Sequence, residues 1–193
     1  MLLGPTCRAI AVSFLLACVS TGTAEAADTS PSVQFNPEIY TLEGQANGCG
    51  ISFTAAWIDE EQELVGVVGS VNLFLAPERK TVLALIKATG FINGKETPIK
   101  YAWVQTNSYG RTLDFKSSPS ADPKGFVGGK PSDPKTVTIP LDMAYFGSVL
   151  GITFDRRSFD DSVTLPAAPK DVAAKVDQCF AELQQRIQML DEK

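Results

Sequence analysis

The sequence predicts a mainly β fold, an antiparallel β-sandwich or small barrel with a C-terminal amphipathic helix packed on it. Three observations carry that expectation. Short runs of alternating apolar residues are separated by frequent turn signals. No alternation of strands with helices is visible, so a parallel sheet is not expected. The apolar period changes from two to three and four only near the end.

The best-patterned stretch is Gly48 to Trp57. Cys49, Ile51, Phe53, Ala55 and Trp57 fall on one face of an extended chain, Ser52 and Thr54 on the other. Before it, Val33-Gln34-Phe35 reads as a short edge strand interrupted by Pro37, and Ile39 to Leu42 leads into a turn around Gly44 to Gly48. After it, Asp59-Glu60-Glu61-Gln62-Glu63 reads as a solvated acidic hairpin tip rather than a cation site. Leu64 to Leu75 is a long strand, and Ala76 to Lys80 a turn. Thr81 to Ala88 is a strand by its short length. Asn93-Gly94 signals a hairpin. Ile99, Tyr101 and Trp103 share one face of the next strand, opposite Ala102 and Val104.

Lys116 to Lys135, rich in Pro, Gly and Ser, reads as one long connection. Loops of that length are usually functional or disordered. Val137, Ile139 and Leu141 alternate as a strand bent at Pro140. Leu150, Ile152 and Phe154 form another, Asp155 to Asp161 is a polar loop, and Val163 to Leu165 closes the series. Val172, Val176, Cys179, Phe180, Leu183, Ile187 and Leu190 then mark a helix over 169–190. Pro169 suits its first turn, and Asp171 complements the positive end of its dipole.

The chain opens with Arg8 followed by the apolar run Ala9 to Val19, too short to span a bilayer and typical of a secretory signal. Small residues at Ala24 and Ala26 place cleavage after Ala26. An alternative takes Leu15-Leu16-Ala17-Cys18, which resembles a bacterial lipobox, as a site where Cys18 is lipidated and Val19 to Ser32 becomes a tether. The expected organisation is a signal over 1–26, a flexible segment over 27–32 and one exported domain over 33–193. About 165 residues suffice for a single core.

Four cysteines are present. Cys7 falls within the leader and Cys18 is either discarded with it or lipidated, which leaves Cys49 and Cys179 as a pair in a compartment that permits disulfides. Their bridge would close a loop of about 130 residues, worth on the order of 4 kcal/mol through lost chain entropy. No Cys-x-x-Cys motif suggests a redox role.

The chain has no histidine, which excludes Ser-His-Asp and Cys-His nucleophile systems and the His-Glu-x-x-His zinc motif. No Gly-x-Ser-x-Gly elbow, phosphate loop or dinucleotide fingerprint occurs. A formal net charge of −5 without a basic stripe argues against nucleic acid and against anionic membranes. No later run reaches transmembrane length. No cofactor, metal or catalytic residue is assigned.

Among carboxylates near strand ends, Asp114, Asp142 and Asp155 are the candidates for a glycosidase-like pair, which needs two carboxyls about 5 to 9 Å apart. Asp155, Asp160 and Asp161 lack the ordered spacing of a calcium loop, and Arg156 and Arg157 beside them point to local ion pairing. Tyr101 and Trp103 offer a stacking platform, with core packing the weightier reading. Tyr109 and Arg111 at a glycine turn are candidate contacts. Phe126 is either a pin onto the core or an exposed binding knob. The resulting expectation is a non-catalytic exported protein of a bacterial cell envelope, periplasmic or secreted, that binds a protein or small ligand through these loop surfaces. The alternatives are a histidine-free glycan hydrolase or lyase and a structural outer-membrane lipoprotein.

Overall fold

The structure, a computed structural model, describes residues 30–76, 81–118, 120–133 and 135–191. The leader over 1–26, Cys18 and the turn at 77–80 lie outside the described residues. Among the described residues, ten strands form two open antiparallel sheets, and neither closes into a barrel. Together with two helices they enclose one apolar core in a sandwich-like arrangement.

The larger sheet has the order β1-β2-β3-β4-β8-β7: β1 (Ser32–Leu42), β2 (Gln45–Ile58), β3 (Leu64–Ala76), β4 (Thr81–Ile92), β8 (Phe126–Pro131) and β7 (Lys116–Ser118). A short β5 (Lys95–Thr97) pairs with the end of β4. The smaller sheet has the order β10-β9-β6: β10 (Asp161–Leu165), β9 (Ser148–Phe154) and β6 (Ile99–Gln105).

The period-two reading of β2 holds: Cys49, Ile51, Phe53, Ala55 and Trp57 are all buried. Val65, Val67, Val71, Leu73 and Leu75 of β3 and Ala84, Ile86 and Ala88 of β4 extend the same face. The expected Asn93-Gly94 hairpin is present. Both residues adopt the positive φ that a tight primed turn demands, 51° and 75°. β1 runs unbroken through Pro37, which pairs with Ile51, so the two expected fragments are one edge strand. A proline survives there because an edge strand needs donors on one side only.

The C-terminal helix α2 (Lys170–Asp191) lays Val172, Val176, Cys179, Phe180 and Leu183 against the inner face of the sheet. Burying each such aliphatic or aromatic side chain contributes about 1.5–3 kcal/mol. Cys179 is bonded to Cys49, with Cα atoms 5.8 Å apart across a separation of 130 residues.

Two segments differ from expectation. Lys116 to Lys135 is not one loop, because β7 and β8 pair within it and β8 adds to the open edge of β4. Composition hid this, since Pro and Gly at 128–134 masked a strand whose pairing is supplied by a distant partner. Val137 to Leu141 is not a strand. A 3-10 turn (Thr136–Thr138) leads into the helix α1 (Ile139–Phe146), which buries Ile139, Met143 and Ala144. Pro140 sits in the first helical turn, where its missing N–H costs nothing. The apolar alternation at 137, 139 and 141 was also compatible with the helical spacing of 139, 143 and 144.

Replacing Cys49 with serine is expected to lower the melting temperature sharply in oxidising buffer and hardly at all when the parent is also reduced. Equal melting of mutant and parent under oxidising conditions, followed by circular dichroism, would count against a stabilising bridge.

Candidate functional site

The face of the larger sheet turned away from the core is partly open: Thr54, Val68 and Lys87 are exposed, Ser52 is half-buried, and Ser70 and Asn72 are buried. Alternation along each strand places Asn36 and Glu38 of β1, Ser52 and Thr54 of β2, Val68 and Ser70 of β3, and Lys87 and Thr89 of β4 on that face. The register aligns them in rows. Asn36 lies opposite Ser52, Ser52 opposite Ser70, Ser70 opposite Lys87, and Lys87 opposite Val127 of β8. Thr54, Val68 and Thr89 form the adjoining row. Ser120, Ala121 and Asp122, from the connection between β7 and β8, border the far side. The result is a groove of about 500 Å³. Four strand spacings from β1 to β8 make it about 19 Å across.

Hydrogen bonds fix the β1 wall. Glu38 Oε2 accepts from the Tyr40 hydroxyl at 2.6 Å and from Asn72 Nδ2 at 2.7 Å. Asn72 also donates to Ser70 Oγ at 2.9 Å. Burial and the neighbouring Glu38 carboxylate push the Tyr40 phenol up to about 12. Asn72 fits because position 50 is glycine: a Cβ there would lie 1.9 Å from Asn72 Oδ1. That oxygen is buried without a hydrogen-bond partner, pressed against the β2 backbone. Lys87 is exposed, its ammonium 5.9 Å from the Phe74 ring, which packs on Tyr40 with centroids 4.6 Å apart.

Of the contact residues expected from sequence, Phe126 lies in the lining of this groove, while Tyr109 and Arg111 lie outside it. Tyr109 is half-buried and donates its hydroxyl to Asp114 at 2.9 Å. Lys130 donates to Tyr109, Asp114 and Asp133 at 3.2, 2.7 and 3.2 Å. The Asp114 carboxylate and the Tyr109 oxygen hold the Lys130 ammonium well above its ordinary range. Burial alone would raise the Asp114 carboxyl, but Lys130 and Tyr109 outweigh it and hold it low. The Thr136 N–H brings Asp133 down to about 2. Arg111 stacks its guanidinium 4.3 Å from the centre of the Trp103 ring. Trp103 is buried between Arg111 and Gly151, where any Cβ would come within 2.1 Å of its ring, and its indole N–H donates to Asp160. Tyr101 packs on Phe126 at 5.0 Å, so the stacking platform is closed. Phe126 is buried and pinned to the core, the first of its two readings, and offers no exposed knob.

The three candidate carboxylates have separate surroundings. Asp114 pairs with Lys130, Asp142 is buried and accepts from the Ser108 N–H at 2.9 Å, and Asp155 is exposed. None of them lines the groove.

The acidic hairpin tip is not a solvated run. The carboxylates of Asp59, Glu61 and Glu63 converge within 4.8 Å of one another, a spacing that would suit a metal ion. The cation beside them is Arg157. Its Nη1 donates to Asp59 and Asp161 at 2.6 Å each, and its Nη2 pairs with Glu63. The Arg157 and Asp161 side chains are only 6% and 2% exposed, so this is a buried clamp rather than a surface pair. It ties the β2–β3 hairpin of one sheet to the β9–β10 connection of the other. Burial would raise the Asp59 carboxyl, but the Glu63 N–H and Arg157 hold it below its usual range. For Asp161 burial wins, and its carboxyl is raised in spite of Arg157.

Sequence reasoning did not find the groove, and of the clamp it found only the local pairing of Arg157 with the neighbouring acids. The hydroxyl residues of the groove carry an ordinary solvent-face signal, and only the register across four strands assembles them. Arg157 meets Asp59 across 98 residues.

Truncating Arg157 to leucine leaves Asp59 and Asp161 buried without their cation and is expected to cost about 3–5 kcal/mol in urea unfolding. The pH dependence separates the two acids. Asp59 has a lowered pKa, so its stabilisation is present above about pH 4 and lost on further acidification. Asp161 has a raised one, so its contribution is present below about pH 4 and declines as pH rises through the raised value. The stability of D161N relative to the parent should therefore improve between pH 4 and pH 7. A pH-independent difference in urea unfolding would refute that assignment.

Compared with protein-family models, curated proteins and solved structures, the chain matches none, so the groove is interpreted from its own chemistry.

Proposed function

We propose that the protein is an exported, non-catalytic binding protein of a bacterial cell envelope that holds a small ligand on the open face of its larger sheet. The groove is the observation that carries this reading. Binding sites of this size are concave and present a few converging polar groups on a rigid scaffold. Here the scaffold is a set of long paired strands, and the polar side chains stand on it in rows set by the register. Glu38 turns Oε2 to Tyr40 and Asn72, leaving Oε1 for an occupant. Lys87 stands on the same face without a salt-bridge partner among the described residues.

The long connection contributes through Ser120 to Asp122, which supports a contact role for part of it. The Cys49–Cys179 bridge supports export, because such bonds persist in oxidising compartments. No helix among the described residues is long and apolar enough to cross a membrane. Release after Ala26 or attachment through Cys18 is compatible with either route to the envelope. Metabolic labelling with a fatty-acid analogue separates them, since the anchor requires label on Cys18.

The binding assignment is tested by titrating the isotopically labelled chain with a small-molecule fragment panel and mapping amide shifts by NMR. Shifts clustered at Ser52, Ser70, Lys87 and Ser120 are expected. Clustering at the Tyr109–Arg111 turn, or uniform scatter, would defeat the assignment.

A further inference from the structure

We infer that the groove is built for a neutral oligosaccharide, an inference that rests on the groove being the binding surface. Its floor is the face of a sheet, so the main-chain N–H and C=O groups of the inner strands are already committed to neighbouring strands. An extended peptide is typically recognised by main-chain pairing at a sheet edge. This groove offers side chains alone, and an occupant must satisfy its polar groups through them.

The side chains favour a polyhydroxyl partner. Ser52, Thr54, Thr89 and Ser120 carry hydroxyls, each able to donate and to accept, as a sugar hydroxyl does, whereas Ser70 is buried and accepts from Asn72. Glu38 Oε1 supplies a fixed acceptor and Lys87 a fixed donor, and charge-assisted bonds of this kind are the strong ones. Val68, 49% exposed at mid-floor, gives the apolar face of a pyranose ring something to rest on. Among the described residues, no deep apolar cavity that would suit an acyl chain opens from the groove.

Charge selects within that class. Glu38 and Asp122 oppose the single ammonium of Lys87, so the lining is net negative. A polyanionic chain would meet like charge at both walls, whereas a neutral one pays no such penalty. The groove is also open along its length. With about 19 Å between its walls it holds several rings rather than enclosing one.

The test is an NMR titration of the full mature chain with four probes: cellotetraose, the N-acetylglucosamine tetramer, tetragalacturonate and tetra-alanine. At least one neutral tetrasaccharide should move the amides of Ser52, Ser70 and Lys87, with tetragalacturonate and tetra-alanine inert. Glu38→Gln keeps an acceptor for Tyr40 and Asn72 but loses the charge, and should weaken binding about tenfold, equivalent to about 1.4 kcal/mol. Val68→Trp fills the floor from a half-exposed position and should abolish binding at an unchanged melting temperature. Groove shifts with tetragalacturonate or tetra-alanine but with neither neutral sugar would overturn the saccharide assignment and leave the groove standing as a binding surface. Silence of the groove with all four probes would overturn both. Unaltered saccharide affinity in a folded Val68→Trp would place the sugar elsewhere.

Discussion

One face of β2 is sealed and the other is open, and most of the architecture serves that difference. On the sealed side, Cys49, Ile51, Phe53, Ala55 and Trp57 require cover along the whole strand. The terminal helix, α1 and the smaller sheet supply it, and the covalent bond to Cys179 fastens the helix where the cover is needed. Removing so much apolar surface from water is the dominant favourable contribution to folding. Because the cover lies on one side, the polar residues at the alternating positions are left facing outward on strands that cannot easily shift. A one-residue slip would exchange the two faces, so the buried side fixes the geometry of the exposed one.

The clamp around Arg157 secures the same arrangement from the end of the strands. Buried ions are costly to desolvate, and a guanidinium repays that cost only when several acceptors surround it in good geometry. Asp59 and Glu63 come from one sheet and Asp161 from the other, so the network is complete only when the two sheets are correctly docked. The hydrophobic core makes the sheets associate. The clamp adds a polar network whose partners come from both sheets.

The features legible in the sequence share a short range. Alternation from Cys49 to Trp57, the Asn93-Gly94 turn and the three-and-four spacing from Val172 to Leu190 each depend on residues within a few positions of one another. The bridge was legible because the expected leader accounts for Cys7 and Cys18 and leaves two cysteines on apolar faces. What escaped is decided by distant partners. Phe126 to Pro131 became a strand because β4 had an edge to pair with, and Val137 to Leu141 became helical with Pro140 in its first turn. Asp59 to Glu63 looked like solvated charge because nothing nearby in sequence announces a buried arginine. Ser52, Ser70 and Lys87 are each unremarkable on their own strands, and their alignment is a property of register.

Pro37 lies midway along the outermost strand of the larger sheet. An exposed strand of 11 residues is ordinarily a template on which a second chain can extend the ladder, the first step towards ordered aggregates. A proline has no N–H to offer, so an incoming strand would lose a bond at the centre of its run, with Asn36 and Glu38 adding polarity on either side. The sheet therefore terminates at its own boundary. The β1 edge can stay exposed without becoming the seed of a fibre.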